Sequence, residues 1–313
     1  VIGSFFVGST LGSIALGRLT QRIGARRMIT ATLLTSAMSC LAIAGAVRSM
    51  WPMILALVVA GVANAGGQTA ANQLLGQSVD PERLGFAMAV KQSGMPSASL
   101  LGGLAVPVIA LTVGWQWGYV AAAVLAVTSL SIVLRFAPSE RSSSAPSTST
   151  PPTGRPRVVG PLSTPRRTIT LAAVSAGFAS AAAGTLGNWT TSSATDAGWS
   201  PGAAGLLLSL GSIAGIASRL VLGWRADRTS RSPVTTAAAV LALGAIGAIL
   251  LAPRNSGSQL VAVVLAFGAG WAWPALFNFG VVRANPGAAG PATGITQTGV
   301  YAGVVSGPVH MRW

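Results

Sequence analysis

The sequence predicts an all-α membrane protein built from two pseudo-symmetric helical bundles, and three observations lead to that prediction. Of the 313 residues, 51% are hydrophobic and only 8% are charged, whereas soluble domains carry about 25% charged residues. The apolar residues form continuous stretches rich in Ala, Gly and Leu, which suit helices that satisfy their own backbone in lipid. A segment of the first half also recurs in the second half, which indicates a duplication.

Ten apolar segments lie between polar breaks, each long enough to cross a bilayer as a helix. They are approximately 1–17, 29–47, 52–76, 84–112 and 117–137 in the first half, and 168–189, 202–222, 234–252, 257–282 and 288–309 in the second. The stretch 138–167 between the halves is rich in Ser, Thr, Pro and Arg and is predicted to be a disordered linker. It separates an N-terminal bundle, 1–137, from a C-terminal bundle, 168–313. Because the chain begins inside an apolar run and ends soon after the last segment, we expect a fragment that lacks one helix at each end.

The basic residues predict the orientation. Fifteen of them fall on the side of the linker, and two, Arg48 and Arg254, fall on the other side. Cytoplasmic loops collect Arg and Lys, so the linker is predicted to be cytoplasmic. The net charge of +15 is thereby explained without nucleic acid, and the expected partner is the lipid bilayer. The single cysteine, Cys40, and the lack of clustered ligand residues predict no disulfide, no metal and no cofactor.

The duplication is clearest between residues 85–103 and 290–308, which align at a constant offset of 205. Gly85, Ala87, Gln92, Gly94 and Gly102 in the first copy correspond to Gly290, Ala292, Gln297, Gly299 and Gly307 in the second. Lys91, the only lysine, corresponds to Thr296. Two small-residue ridges, which are predicted to let each helix closely cross a helix of the opposite bundle, are formed by Gly94, Ala98 and Gly102 and by Gly299, Gly303 and Gly307.

A second pair of segments repeats at an offset of 206: residues 17–27 read GRLTQRIGARR, and residues 223–228 read GWRADR. These segments, placed in loops by the span assignment, resemble the G-x-L-x-D-R-x-G-R-K/R loop motif of the major facilitator superfamily, with Gln21 where the family has Asp. The resemblance extends over the whole chain. It implies that the segments are helices 2 to 11 of a twelve-helix transporter, in which two bundles rock to expose one site to either side of the membrane.

By this resemblance, the motif residues form a conformational latch at the cytoplasmic helix ends. Arginines and Asp227 are expected to pair across the bundle interface in one state and to separate in the other. Arg219 is expected to join this latch or to extend to the interface, and for Arg26 and Arg27 the alternative is simple adherence to the positive-inside rule. The predicted latch residues are Gly17, Arg22, Gly24, Arg26, Arg27, Arg219, Gly223, Asp227 and Arg228.

Polar residues inside apolar segments are costly, so they mark candidate substrate contacts. Lys91 lies about 10 Å past the predicted cytoplasmic start of its helix, where it either faces a wet cavity or extends its stem to the interface. Asn64, Gln68 and Asn72 are spaced four apart and share one helix face. The candidate substrate-binding residues are Lys91, Gln92, Asn64, Gln68, Asn72, Trp273, Asn278 and Gln297. For each amide, an interhelical hydrogen bond is the alternative.

The five acidic residues all lie in loops or at segment ends, and a cavity with a cation but no anion suits an anionic substrate. We therefore predict a monomeric secondary transporter of a small organic anion in the bacterial plasma (inner) membrane. One alternative is an exporter of hydrophobic cations that stack on Trp273, Phe277 and Tyr301; another is a fragment that transports nothing. An enzyme is not expected, because no pair of buried carboxylates and no metal-ligand spacing is visible.

Overall fold

The computed structural model describes residues 2–45, 49–105, 109–110, 112–136, 160–251 and 256–307. Within these ranges the chain forms eleven α-helices and no strand. The first half contains α1 (Ile2–Ile23), α2 (Ala25–Gly45), α3 (Met50–Ser78), α4 (Leu84–Ala105) and α5 (Gln116–Phe136). The second half contains α6 (Arg166–Asp196), α7 (Pro201–Arg228), α8 (Pro233–Leu251), α9 (Ser256–Gly268), α10 (Trp273–Ala284) and α11 (Ala289–Ser306). The predicted all-α fold is confirmed.

Among the described residues, six helical segments are long and apolar enough to cross a membrane. They are α2, α3, α5, α8, most of α7, and the stretch Ser258–Ala284, which takes α9 and α10 together. On α5, Val124, Leu125 and Ile132 are exposed and Ala123 is buried. An outward surface of this kind is favourable against lipid tails and unfavourable against water. The other four predicted spans correspond to α1, α4, α6 and α11.

The ninth predicted segment is two helices rather than one. Residues 269–272 form a turn between α9 and α10, and Trp271 N donates to Phe267 O at 3.2 Å. Pro274 follows this turn as the second residue of α10. Because proline has no N–H, it leaves the carbonyl of Gly270 without its helical donor. The chain therefore begins a new helix at this point.

The two motif segments predicted as loops are largely helical, and that part of the prediction is wrong. α1 continues through the first motif to Ile23, and α2 begins at Ala25. Only Gly24 interrupts the two helices, with a φ of 95°. Glycine adopts positive φ without steric cost, so one residue suffices to reverse the direction of the chain. The second motif, residues 223–228, forms the last turns of α7.

The first compact unit comprises Val1–Ser78, Ile109–Gly177 and Val281–Val305. It contains α1, α2, α3, α5, α11 and the beginning of α6. α1 packs along α3, where Ser9 Oγ donates to Gly61 O at 2.8 Å. Ala25, Met28 and Ala70 form a buried cluster between α2 and α3.

The second compact unit comprises Val79–Val108, Phe178–Gly280 and Ser306–Trp313. In it α4 packs along α7, and α9 packs against both α7 and α8. Its apolar core consists of Ala194, Ala204, Leu207, Val263, Ala266 and Phe267. The two compact units do not coincide with the predicted halves, because α4 packs with helices of the second half and α11 with helices of the first half. Residues 138–159 of the predicted linker lie outside the described residues. The prediction of disorder is wrong for its last part, because Ser163 and Thr164 donate backbone hydrogen bonds to Asn285 and α6 begins at Arg166.

The predicted glycine ridges do not serve the same purpose in α4 and α11. A Cβ at Gly94 or Gly102 of α4 would meet no atom of the described residues within 4 Å, so the predicted close crossing is not found at these two positions. In α11, Gly299 and Gly303 do make close contacts, but with the backbone of Ala173 and Gly177 in α6. That helix belongs to the same half of the sequence, not to the opposite one.

Candidate functional site

Asp227, in the last turn of α7, caps the first turn of α4. Gly85 N donates to its Oδ1 at 2.6 Å, and Phe86 N donates to its Oδ2 at 2.8 Å. The first N–H groups of a helix have no intrahelical acceptor, and the positive end of the helix dipole favours a carboxylate there. The predicted latch had arginines as the partners of Asp227. In the structure its partners are these two backbone amides.

A contact between two glycines brings Asp227 within reach of α4. A Cβ at Gly223 would lie 2.7 Å from Gly85 O, and a Cβ at Gly85 would lie 2.9 Å from Gly223 O. Neither position accepts a side chain unless the two helices separate. Gly223 lies one turn before Asp227, so the close approach of α4 and α7 sets the length of the two capping hydrogen bonds.

A cavity of about 730 Å³ opens beside this cap. Its lining residues are Glu82, Arg83, Phe86, Trp224, Asp227 and Arg228. The Arg228 guanidinium stacks over the Trp224 ring at 4.1 Å from the ring centroid. Two acidic and two basic side chains balance each other in this lining, which favours a reversible contact over the capture of a charged molecule.

A contact of the same kind joins α1 and α11 in the first unit. A Cβ at Gly17 would lie 2.8 Å from Gly290 O and 3.1 Å from the Cα of Gly294. Gly17 and Gly290 are the sequence counterparts of Gly223 and Gly85, so both motif glycines occupy equivalent contacts. Gln73, which the sequence analysis did not single out, borders this contact: its buried Oε1 has no hydrogen-bond partner among the described residues.

Gln21, the counterpart of Asp227, makes a different set of bonds. Its Nε2 donates to Gly287 O at 3.1 Å and to Gly160 O at 3.4 Å. Gly160 N in turn donates to the same Gly287 O at 3.0 Å. Two carbonyl oxygens converge here, and they require a donor that a carboxylate does not have. The departure from the family motif at Gln21 therefore matches its surroundings.

Asn285 completes this arrangement and is a residue that the sequence analysis missed. Its Oδ1 accepts from Ser163 N at 3.1 Å and from Thr164 N at 3.0 Å, and its Nδ2 donates to Thr164 Oγ1 at 2.9 Å. The Asn-Pro dipeptide at 285–286 is a turn signal, but it gives no indication of a partner about 120 residues earlier in the chain. We call the assembly of Gln21, residues 160–164 and residues 285–288 the clasp.

Three of the four arginines of the first motif, Arg22, Arg26 and Arg27, lie around the Gly24 turn. Arg26 Nη2 donates to Leu134 O in the last turn of α5 at 2.6 Å, where it caps a helix C-terminus. Arg22 and Arg27 are exposed. The Arg26 contact stays within the first unit and ties α2 to α5.

Arg219 lies two turns before Asp227 on α7, about 12 Å away along the helix. It is 3% exposed. Its Nε donates to Trp271 O at 2.8 Å, and its Nη1 donates to Gln92 O at 2.8 Å. Arg219, predicted for the latch, thus lies apart from the Asp227 cap and binds two backbone carbonyls in the interior of the unit.

The other candidate substrate residues of the second unit lie on α4 and α10. Lys91 is half-buried on α4, next to Gln92, whose Nε2 donates to Pro274 O at 3.5 Å. Asn278 Nδ2 donates to the same oxygen at 2.9 Å. The Trp273 indole Nε1 is buried without a hydrogen-bond partner among the described residues.

The remaining candidates, Asn64, Gln68, Asn72 and Gln297, belong to the first unit. Asn64 Nδ2 donates to Tyr301 Oη at 3.1 Å and to Ser9 Oγ at 3.4 Å. This is the interhelical hydrogen bonding that the sequence analysis kept as the alternative for each amide. Asn72 and Gln297 are buried, and Gln68 is half-buried.

Comparisons with known proteins agree with this fold. The human organic anion transporter MFSD10 (TETRAN) aligns with a TM-score of 0.74 at 17% identity, over 99% of this chain and 76% of its own. The proton:xylose symporter XylE, bound to 6-bromo-6-deoxy-D-glucose, aligns with a TM-score of 0.76 at 13% identity, over 99% of this chain and 78% of its own. At these identities the similarity concerns the fold.

None of the curated proteins matches the sequence at a significant level. A family model described as Major Facilitator Superfamily matches residues 1–308. This match confirms the family that the motifs at 17–27 and 223–228 resemble, and the chain belongs to the Major Facilitator Superfamily.

Proposed function

We propose that this member of the superfamily is a secondary transporter that moves a small organic anion by alternating access. The observation that carries the proposal is Lys91, the only lysine of the chain, placed within α4. The acidic residues of the second unit lie at helix ends or between helices: Asp80 and Glu82 precede α4, Asp196 ends α6, and Asp227 caps α4. A basic side chain at membrane depth costs about 3 kcal/mol, which an anionic cargo would offset.

The structural neighbours are compatible with this cargo but do not select it. One is described as an organic anion transporter and the other as a proton:xylose symporter. The same fold therefore accommodates both charged and neutral cargo. The assignment to anions rests on the positive charge of Lys91 within α4.

The contacts of the aromatic residues give less support to an exporter of hydrophobic cations. Trp273 is 2% exposed and Phe277 is 7% exposed, and their rings pack edge to face at 5.6 Å between centroids. The Tyr301 hydroxyl accepts a hydrogen bond from Asn64. A cation that stacked on these rings would first have to separate them.

The Asp227 cap and the clasp supply the conformational part of the proposal. Each joins helices from opposite halves of the sequence: the cap joins α7 to α4, and the clasp joins α1 to the loop before α11. If the halves rock as the family mechanism implies, both contacts break and re-form in every cycle. We further propose that the protein works as a monomer in the plasma (inner) membrane, with the arginine-rich helix ends in the cytoplasm.

Uptake into proteoliposomes tests the anion assignment. The probes are radiolabelled lactate, benzoate and succinate, with benzamide as the neutral counterpart of benzoate and tetraphenylphosphonium as a hydrophobic cation. We expect saturable uptake of at least one carboxylate. Lys91→Ala should lower that uptake about tenfold, because it removes a charge-assisted contact. Lys91→Arg keeps the charge and is the matched control.

Two outcomes would contradict the proposal. Undiminished carboxylate uptake by Lys91→Ala would remove this side chain from recognition. Saturable transport of tetraphenylphosphonium without transport of any carboxylate would favour the hydrophobic-cation exporter.

A further inference from the structure

We propose that Arg219 is a positioning residue that holds two proline-interrupted helices in register and thereby fixes the places of Lys91 and Trp273. The bonds that define this role are visible in the structure itself. Its consequence for cargo rests on the proposed function. This role differs from the predicted one, in which Arg219 joins the latch or extends to the interface.

The first interruption is in α4. Pro96 lies inside this helix, and proline has no N–H to donate to the carbonyl four residues earlier. That carbonyl belongs to Gln92. Arg219 Nη1 donates to this same oxygen at 2.8 Å. The guanidinium thus supplies the donor that Pro96 removes, at a residue, Gln92, that is only 3% exposed.

The second interruption is the turn at 269–272 between α9 and α10. Trp271 O belongs to this turn and accepts from Arg219 Nε at 2.8 Å. Gln92 Nε2 reaches the same region, at Pro274 O. One planar guanidinium therefore joins the Pro96 interruption in α4 to the turn between α9 and α10.

The two anchored carbonyls are adjacent to two candidate substrate residues. Gln92 follows Lys91 directly, and Trp271 precedes Trp273 by two residues. The guanidinium presents its N–H groups in a rigid fork, so the two carbonyls it binds are held at a fixed separation. The backbone segments that carry Lys91 and Trp273 are fixed with them. A lysine at position 219 would place a single ammonium group and lack this fork.

Hydrogen–deuterium exchange of the full chain in lipid nanodiscs tests the positioning role without any cargo. In Arg219→Met, amides of residues 92–97 and 269–275 should exchange about tenfold faster, because both stretches lose a charge-assisted bond. Arg219→Lys should restore part of the protection. Arg225→Met, which removes an exposed arginine from the same helix, is the matched control and should leave both stretches unchanged.

A double variant separates this role from general packing. Pro96→Ala returns an N–H to the carbonyl of Gln92, so Pro96→Ala with Arg219→Met should regain protection in residues 92–97 but not in 269–275. Pro52→Ala, which replaces a proline in the first turn of α3, should give no such rescue. Failure of Pro96→Ala to restore α4, or parent-like exchange in Arg219→Met, would overturn the proposal.

The consequence for transport is measured with the carboxylate that the parent protein carries. Arg219→Met should raise its KM about tenfold with a smaller change in turnover, and Arg219→Lys should recover part of the loss. If the parent protein carries no carboxylate and Arg219→Met nevertheless exchanges faster than the parent, the proposed function is refuted and the positioning role stands. An unchanged KM beside faster exchange would refute the link between Arg219 and Lys91.

Discussion

Replacement of Asp227 by Asn tests the cap between α7 and α4. Asn keeps one acceptor oxygen but presents an NH₂ group in place of the second, so one of the two backbone N–H groups of Gly85 and Phe86 loses its acceptor. A charge-assisted hydrogen bond is worth about 1 kcal/mol more than a neutral one, and the lost interaction with the helix dipole adds about 0.5 kcal/mol. When part of the hydrogen bond lost by one of the two amides is added, the state in which α7 caps α4 should be destabilised by about 2 kcal/mol. That amount changes its population relative to the separated state about 30-fold.

The assay combines transport with labelling of α4. Phe86 is 42% exposed beside the cap, so Phe86→Cys in a Cys40→Ser background gives one reporter thiol. We expect Asp227→Asn to increase the rate at which this thiol reacts with a hydrophilic maleimide. Transport in proteoliposomes should slow, while the affinity for cargo stays within about twofold, because the cap lies away from Lys91.

The matched control is Asp80→Asn, which removes an exposed acid from the turn before α4. It should change neither labelling nor transport. If Asp227→Asn gives the same labelling rate and transport rate as the parent, the cap does not bias the conformational equilibrium and the latch interpretation fails.

Two further predictions concern the clasp and the glycine contact. Gln21→Glu keeps the shape of the side chain but directs a carboxylate at Gly287 O and Gly160 O. The amides of residues 160–164 should therefore lose protection from hydrogen exchange. Unchanged protection would contradict the clasp. Gly223→Ala should lower the melting temperature in detergent by several degrees, because a Cβ there would lie 2.7 Å from Gly85 O and overpacking costs about 1–3 kcal/mol. Gly205→Ala, on the same helix where no atom lies within 4 Å, is the control, and an equal effect of the two substitutions would exclude the contact.

The helical fold was predictable because the bilayer imposes local requirements. A span must be apolar over its whole length and must satisfy its own backbone, so composition alone locates it. The duplication at offsets of 205 and 206 then predicted two equivalent halves. The exceptions lie where one residue changes the backbone: Gly24 turns the chain within a single residue, and Pro274 follows the break between α9 and α10.

Close helix contacts were predictable in kind but not in partner. Small residues mark places where helices can touch, and Gly17, Gly223 and Gly290 all do so. Gly94 and Gly102 are spaced like Gly299 and Gly307, yet a Cβ at either would meet no atom of the described residues within 4 Å. The direction in which a residue faces turns by about 100° per residue along a helix. Which residues meet a neighbour therefore depends on how the whole helix is rotated about its axis, and that rotation is set by all of its neighbours together.

The sequence by itself identified the candidate residues: the only lysine, an acid at the end of α7, a glutamine where the family motif has an acid, and an arginine within a span. Only the tertiary structure decided their partners. Asp227 binds amides 141 and 142 positions away, Arg219 binds a carbonyl 127 positions away, and Gln21 binds one 139 positions away. In each case the partner is a backbone group exposed by a helix end, a proline or a turn. Every residue has such groups, so the side-chain pattern does not reveal which of them will lack a local partner and lie within reach.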